Sequence, residues 1–156
     1  MKAIRPLSGK DLPRLVAFWN EHWGGAEMIV HGEVFRPEQL DGFVAGDWSG
    51  VATYIVRDNS CEIISLNSLK ENRGVGTALI DEVIKAARQQ NCRRIFLVTT
   101  NDNLHALGFY QRRGFALAGI RRRAVDEARK IKPGIPLIGM NGIGLHDEIE
   151  LEMSLR

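Results

Sequence analysis

Apolar and polar positions alternate along this chain in blocks that predict a mixed α/β fold. Apolar residues recur at three- and four-residue spacing over residues 8–22 and, most clearly, over residues 77–90, which predicts two amphipathic helices. Residues 94–99 are continuously apolar, as in a strand that is buried on both faces. An antiparallel meander is predicted by three strands that short turns separate, at residues 42–45, 51–57 and 61–69. Because helix 77–90 lies between two strands, we expect a right-handed βαβ unit there.

The second half of the chain continues the alternation of helices and strands. It predicts a helix, a strand, a short basic helix and a Gly- and Pro-rich loop, at residues 104–113, 115–120, 121–132 and 133–144. The last strand, residues 148–155, places apolar side chains on one face and Glu148, Glu150 and Glu152 on the other. Such an acidic stripe is either a solvated face or the border of a site for a cationic acceptor. Short strands are also expected at residues 3–7 and 28–30.

Length and composition favour one ordinary globular domain. The chain has 156 residues, of which 44% are hydrophobic and 26% charged, and we expect a single domain over residues 1–156. The net charge of +2 gives no general case for nucleic-acid binding, although residues 121–132 are locally basic. Cys61 and Cys92 lack metal-ligand spacing, so no metal site is expected. No apolar run is long enough to span a membrane, and we expect a cytoplasmic protein.

A Gly-containing turn joins the strand 61–69 to the helix 77–90. The sequence Arg73-Gly74-Val75-Gly76 allows a sharp backbone bend and leaves no side chain between the backbone and a ligand. The first N–H groups of the following helix have no internal partner and lie at the positive end of the helix dipole. The turn therefore predicts either a site for phosphate or pyrophosphate, or an ordinary turn whose glycines permit tight packing.

Two motifs in this region resemble a known family. Gly74-Val75-Gly76 resembles the central Q/R-x-x-G-x-G/A motif of the GNAT (Gcn5-related) N-acetyltransferases, and Asn103 to Phe115 resembles the second signature, N-x-x-A-x-x-x-Y-x-x-x-G-F. The sequence is most similar to a bacterial subgroup that shares the segments TTNDN and FYQRRGF, at residues 99–103 and 109–115. The resemblance implies a mixed, mainly antiparallel sheet of six to seven strands, about four flanking helices and a V-shaped cleft at a central parallel βαβ unit.

The resemblance also implies the activity. An acetyl group would move from acetyl-CoA, bound as a cosubstrate, to a primary amine of a small molecule or peptide by direct attack in a ternary complex. Tyr110 would protonate the leaving thiolate, although a core tyrosine is the alternative. Asn103 would bind the pantetheine arm, although a helix N-cap fits it equally well. The implied coenzyme-binding residues are Leu66, Asn67, Ser68, Arg73, Gly74, Val75, Gly76, Thr77, Asn103, Ala106 and Tyr110.

The amine must lose a proton before it attacks, so a general base is needed. Glu62 is the first candidate because it lies near the start of the strand that leads to the predicted site, and a solvated carboxylate is its alternative. Candidate acceptor-binding residues are Trp19, Trp23 and His31. The two tryptophans lie four residues apart on one helix face, which is more typical of a core pair than of a pocket wall.

One residue departs from the family motif. Glu71 stands where the motif has Gln or Arg, and the approach to Gly74 is about two residues short. A carboxylate near a pyrophosphate is unfavourable, so either Glu71 points away while Arg73 provides the positive charge, or the turn is remodelled. The alternative function is a non-catalytic acyl-CoA-binding or regulatory module; nucleic-acid binding is the weakest hypothesis. A monomer or a homodimer is expected.

Overall fold

The computed structural model describes residues 3–69 and 74–156. Glu71 and Arg73, on which the predictions for the turn partly depend, lie outside the described residues. The described ranges contain nine strands: β1 (Ile4–Pro6), β2 (Met28–Val30), β3 (Glu33–Phe35), β4 (Asp41–Ala45), β5 (Gly50–Arg57), β6 (Ser60–Ser68), β7 (Arg94–Thr100), β8 (Ala116–Arg121) and β9 (Glu148–Ser154). The same ranges contain four α-helices: α1 (Leu12–Trp23), α2 (Val75–Gln89), α3 (Leu104–Arg112) and α4 (Ala124–Ile131).

Seven of these strands form one sheet in the order β1-β4-β5-β6-β7-β9-β8, and β2 and β3 form a separate pair. The pairs β1–β4, β4–β5, β5–β6 and β8–β9 are antiparallel. Helix α2 connects β6 to its sheet neighbour β7, as the predicted βαβ unit requires. The predicted fold class is therefore confirmed: a mainly antiparallel seven-stranded sheet with four helices. Within the described ranges, no helix has the length and apolarity needed to cross a membrane.

The chain divides into two compact units, which we describe separately. The first unit comprises the described residues of Met1–Met28, Phe35–Ile95 and Leu155–Arg156. Helix α2 packs on β4, β5 and β6, and the buried residues of this unit include Trp19, Val44, Val51, Leu79 and Ile80. The second unit comprises Ile29–Val34 and Phe96–Ser154, with a core that includes Leu97, Tyr110, Phe115, Val125 and Leu151.

A glycine fixes where α2 begins within the first unit. A Cβ atom on Gly50 would lie 2.5 Å from Val75 Cγ1 and 2.9 Å from the carbonyl oxygen of Asn67. The first residue of α2 therefore packs directly on the start of β5, beside the end of β6. The helix begins at Val75, two residues earlier than the pattern of apolar residues predicts, because Gly74 takes a left-handed conformation (φ 74°) immediately before it.

A β-bulge interrupts the pairing of β5 with β6. Thr53 lies opposite Ser65 and Tyr54 lies opposite Ile63, so no residue of β5 lies directly opposite Ile64. Directly opposed residues of an antiparallel pair share a face, and one extra residue reverses the alternation beyond it. As a consequence, Glu62 lies on the same face of β6 as Ser65 and Asn67, whereas an uninterrupted strand would place it on the opposite face.

The acidic side chains of β9 are not simply a solvated face of the second unit. Glu148 is only 5% exposed, and both of its carboxylate oxygens accept the backbone N–H of His31 at 3.1 Å. Arg121 of the locally basic segment pairs with Glu150 at 2.7 Å. The basic helix is shorter than residues 121–132, because Arg121 ends strand β8 and α4 spans Ala124–Ile131.

Candidate active site

The amino terminus of α2 presents the predicted anion site in the first unit. Gly74 is the N-cap, and the first intrahelical bond runs from the Ala78 N–H to the Gly74 oxygen at 3.0 Å. The N–H groups of Val75, Gly76 and Thr77 therefore precede the first bond of the helix, where such groups bind anions. Among the described residues, none has an atom within 4 Å of a Cβ built on Gly74.

The end of β6 lies beside this helix start. Leu66, Asn67 and Ser68 pair with the first three residues of β5 and are all partly exposed. The Leu69 N–H continues the pairing by donating to the Ser49 oxygen at 2.7 Å. Two predicted coenzyme-binding segments, 66–68 and 74–77, are thus adjacent in the first unit, and the close approach at Gly50 holds them together.

The two tryptophans of α1 have different surroundings. Trp19 is 0% exposed, and its indole nitrogen has no hydrogen-bond partner within the described part of the chain. Trp23 is 39% exposed and donates its indole N–H to Asn67 Oδ1 at 2.8 Å. Full burial favours the core alternative for Trp19. Trp23, in contrast, is fixed against the β6 segment that is predicted to bind the coenzyme.

Glu62 is a buried carboxylate on β6, 2% exposed. The guanidinium of Arg57, which is itself partly exposed, lies 3.7 Å from Glu62 Oε1. On the same face of the sheet, the hydroxyls of Thr53 and Ser65 are hydrogen-bonded at 2.6 Å, and both residues are buried. The β-bulge at Ile64 therefore aligns a carboxylate, a hydroxyl pair and Asn67 along one face. The solvated-carboxylate alternative for Glu62 is wrong.

Asn103 begins α3 in the second unit. Its side-chain oxygen accepts the Ala106 N–H at 3.0 Å, which confirms the N-cap interpretation. This hydrogen bond uses the side-chain oxygen of Asn103 and leaves the amide nitrogen for other contacts. The role of Asn103 toward a pantetheine arm stays a prediction.

Tyr110 lies two turns further along α3 and is 6% exposed. Its ring contacts Phe109 and Phe115 edge-on, at centroid distances of 5.1 and 5.4 Å. Burial raises the pKa of the Tyr110 phenol above its ordinary value, and the nearby Arg113 only partly opposes this shift. Tyr110 is therefore a neutral hydrogen-bond donor at physiological pH.

His31 lies in the turn between β2 and β3, where it has a positive φ of 43°. The contact with Glu148 uses its backbone N–H rather than its imidazole. The hairpin turn is thereby attached to β9. Contact between the His31 side chain and an acceptor stays a prediction.

Asp102 is a feature of the second unit that sequence patterns did not reveal. It is 2% exposed, although it lies between two asparagines in a segment predicted only to cap a helix. Its carboxylate accepts the Thr100 hydroxyl and the Met140 N–H, at 2.5 and 2.8 Å. A polar Asn-Asp-Asn run gives no periodic signal of burial, because the residues that cover Asp102 come from a loop about 38 positions later.

Comparison with known proteins identifies the class to which this fold and these motifs belong. The sequence model of the acetyltransferase (GNAT) family matches residues 15–115. This is well over half of the chain, and the protein belongs to that family.

Individual proteins agree with this assignment. The chain is 46% identical to the uncharacterized protein YdhI of Bacillus subtilis (strain 168) over 139 residues, which cover 86% of this chain and 87% of YdhI. Among solved structures, an acetyltransferase of Bacillus subtilis in complex with CoA superposes with a TM-score of 0.71 at 20% identity and 100% coverage of both chains. The ribosomal-protein-S18-alanine N-acetyltransferase of Escherichia coli gives a TM-score of 0.69 at 18% identity, covering 99% of this chain and 94% of that one. These two likenesses concern the fold.

Proposed function

We propose that this protein transfers an acetyl group from acetyl-CoA to a primary amine of a small molecule or peptide. The observation that carries the proposal is that both family motifs occupy the structural context that the chemistry needs. Gly74 immediately precedes a 15-residue helix whose first amide groups come before the first intrahelical bond, and Asn103 caps the helix that presents Tyr110. We further infer that both units serve one catalytic domain.

The first unit would bind the coenzyme. The N–H groups of residues 75–77 would hold the pyrophosphate, because backbone donors and the helix dipole both favour an anion there. Backbone groups of residues 66–68 would bind the pantetheine arm and polarise the thioester carbonyl, which develops negative charge during attack. Arg73 would add a side-chain contact. The Bacillus subtilis acetyltransferase of similar fold is in complex with CoA, which supports coenzyme binding by this fold.

Tyr110 would act on the leaving group. The amine nitrogen attacks the thioester carbon, the C–S bond breaks, and the electron pair of that bond moves to sulfur. A phenol with a pKa of about 10 is already a weaker acid than a thiol with a pKa of about 8.5, and burial of Tyr110 increases this difference. Tyr110 therefore stabilises the departing sulfur by donating a hydrogen bond. If Tyr110 transfers its proton completely to sulfur, the resulting phenolate must regain a proton before the next turnover.

Glu62 would accept the proton that the amine loses, through a chain that includes water. Its depth in the sheet makes direct contact with a bulky amine sterically unfavourable, and β6 rises only about 3.3 Å per residue toward Asn67. The Thr53–Ser65 hydroxyl pair lies on the same face between Glu62 and Asn67, and hydroxyls both donate and accept hydrogen bonds. A buried polar path of this kind favours relayed over direct deprotonation.

Trp23 would form a wall of the acceptor site. It is the partly exposed aromatic side chain bound to Asn67, next to the predicted thioester segment. His31 is a second candidate for the acceptor side. A small molecule and a peptide amine both remain within the proposal, and we infer a cytoplasmic monomer or homodimer.

Replacement of Tyr110 tests the proposed chemistry. We expect Tyr110→Phe to lower kcat about 10- to 100-fold, because the hydrogen bond to the departing sulfur is lost, while acetyl-CoA affinity changes little. The measurements are release of free CoA thiol against a panel of primary amines and acetyl-CoA binding by calorimetry. Tyr54→Phe is the matched control, since Tyr54 is the other buried tyrosine and burial raises its pKa to about 12. Equal turnover of the Tyr110 variant and wild type would remove Tyr110 from the mechanism.

A further inference from the structure

A loop is fastened to the start of the helix that carries Asn103 and Tyr110. Asp102 immediately precedes Asn103, and its buried carboxylate accepts the N–H of Met140 at 2.8 Å. The side-chain amide of Asn141 donates to the backbone oxygen of Asp102 at 3.2 Å. These contacts join residues that are 38 and 39 positions apart, entirely within the second unit.

Close packing makes this attachment specific for glycine. A Cβ atom on Gly139 would lie 2.0 Å from Asp102 Oδ2 and 2.7 Å from its Cγ. The loop backbone therefore lies directly against the carboxylate. We call the set Asp102, Gly139, Met140 and Asn141 the latch.

The latch acts on the first turn of α3. The backbone oxygen of Asp102 also accepts the N–H of Leu104, the first residue of α3, at 3.0 Å. The Asn103 N–H donates to the Thr100 oxygen at 3.0 Å, and Asn103 then caps the helix through Ala106. Because an α-helix transmits a displacement of its first turn along its axis, the latch sets the position of Asn103 directly and of Tyr110 through the helix.

The chemistry of Asp102 is unusual for a residue that only stabilises a loop. The two groups that donate hydrogen bonds to its carboxylate, the Thr100 hydroxyl and the Met140 backbone N–H, are both uncharged. Burying a carboxylate beside neutral donors carries a large desolvation cost, and apolar side chains of similar volume are often at least as stabilising. The carboxylate instead fixes the relative position of two separate segments, because it accepts one hydrogen bond from each of them.

We propose that Asp102 is a positioning residue for acetyl transfer, which aligns Asn103 and Tyr110 by latching residues 139–141 to the start of α3. This role rests on the proposed acetyltransferase function. We expect its main effect on kcat, because Tyr110 would act on the departing sulfur, whereas the α2 amide groups that would hold the pyrophosphate belong to the other unit.

Four variants test the role: Asp102→Ala, Asp102→Asn, Gly139→Ala and the Asp102→Ala/Gly139→Ala double variant. Asp102→Asn retains the network, because its amide oxygen accepts the Met140 N–H while its amide nitrogen donates to the Thr100 hydroxyl. In the double variant the clash of the Gly139 substitution is largely relieved, because the nearest remaining atom is the residue-102 Cβ at 3.1 Å. For each variant, kcat, KM for the amine, acetyl-CoA affinity and Tm are measured on the full chain.

Arg129→Ala is the matched control. Arg129 fastens the same loop to α4 by donating to the carbonyl oxygens of Ile135, Pro136 and Leu145, and it makes an ion pair with Asp126. Replacing Arg129 removes the contacts between the loop and α4 but leaves the contacts of residues 139–141 with Asp102 in place. A general loss of stability therefore appears in this variant as well, whereas a loss of positioning does not.

We expect kcat to fall about 10- to 100-fold in Asp102→Ala and in Gly139→Ala, with acetyl-CoA affinity within about threefold of wild type. Asp102→Asn restores kcat to within about threefold, and the double variant is no slower than Asp102→Ala. A kcat that follows Tm across all variants, Arg129→Ala included, would overturn the positioning role. If wild type releases no CoA with any amine, the proposed function fails and this role fails with it. If wild-type turnover is normal and Asp102→Ala matches it, only the positioning role fails.

Discussion

The proposed catalytic role of Glu62 depends on the backbone around it. The β-bulge at Ile64 turns its side chain to the face that carries Ser65 and Asn67, and burial removes it from bulk water. The sequence predicted the residue and its strand, but the run Cys61-Glu62-Ile63-Ile64 has no alternation from which a bulge could be inferred. The face of the sheet on which Glu62 lies is therefore determined by the pairing of β6 with β5.

Glu62→Gln keeps the shape of the side chain and removes the base. We expect kcat at neutral pH to fall by about 100-fold, with unchanged acetyl-CoA affinity, because a carboxamide cannot accept the proton of the amine. We also expect the pH dependence of the rate to change in the variant, because the variant lacks the proposed proton acceptor. The measurement is a pH–rate profile of CoA release, with the exposed Glu38→Gln as control. An unchanged profile would exclude Glu62 as the base.

At the scale of elements, α2 shows how sequence and packing together create an anion site. The glycines predicted a turn before the helix, and the apolar stripe predicted the helix itself. The helix nevertheless begins at Val75, because Gly50 allows Val75 to pack on β5 and Gly74 supplies the left-handed conformation. The contact with Gly50 joins residues 25 positions apart, so no local pattern reports it. The first amide groups consequently lie next to the end of β6.

Two substitutions at Gly74 distinguish the effect of backbone strain from the effect of blocking the start of α2. Gly74→Leu is strained at a φ of 74° and places a side chain in front of the helix, whereas Gly74→Asn tolerates that conformation. We expect both variants to bind acetyl-CoA at least about 10-fold more weakly, and only the leucine variant to lose stability. The measurements are acetyl-CoA affinity by calorimetry and Tm. Gly24→Leu is the control, because Gly24 has a similar φ of 71° but lies at the C-terminus of α1. Wild-type affinity in both Gly74 variants would refute an anion site there.

The element scale also shows where prediction from sequence ends. The strands other than β3, the α3 cap at Asn103 and the loop 133–144 follow from alternation, cap chemistry and turn residues. The burial of Glu148 and Asp102 does not, because each is covered by a segment more than 35 positions away in the sequence. Acidic residues in an alternating strand or a polar turn resemble solvated ones until these distant segments are in place.

For the whole molecule, the two motifs of the acetyltransferase (GNAT) family are divided between the two units. Each unit contains one of the two family motifs, the first at the start of α2 and the second along α3. The same fold could bind an acyl-CoA without transferring the acyl group, since fold alone does not determine function. What distinguishes an enzyme from a binding module is whether an amine receives the acetyl group.

The most direct test is therefore transfer of isotopically labelled acetyl from acetyl-CoA to an amine, followed by mass spectrometry of the amine and by free-thiol release. An acetyltransferase yields label on the nitrogen in amounts equal to the thiol released, in proportion to enzyme concentration, and with strongly reduced yield in Tyr110→Phe. Saturable acetyl-CoA binding without labelled amine, across a panel of small-molecule and peptide amines, would contradict the enzymatic function and indicate a binding module.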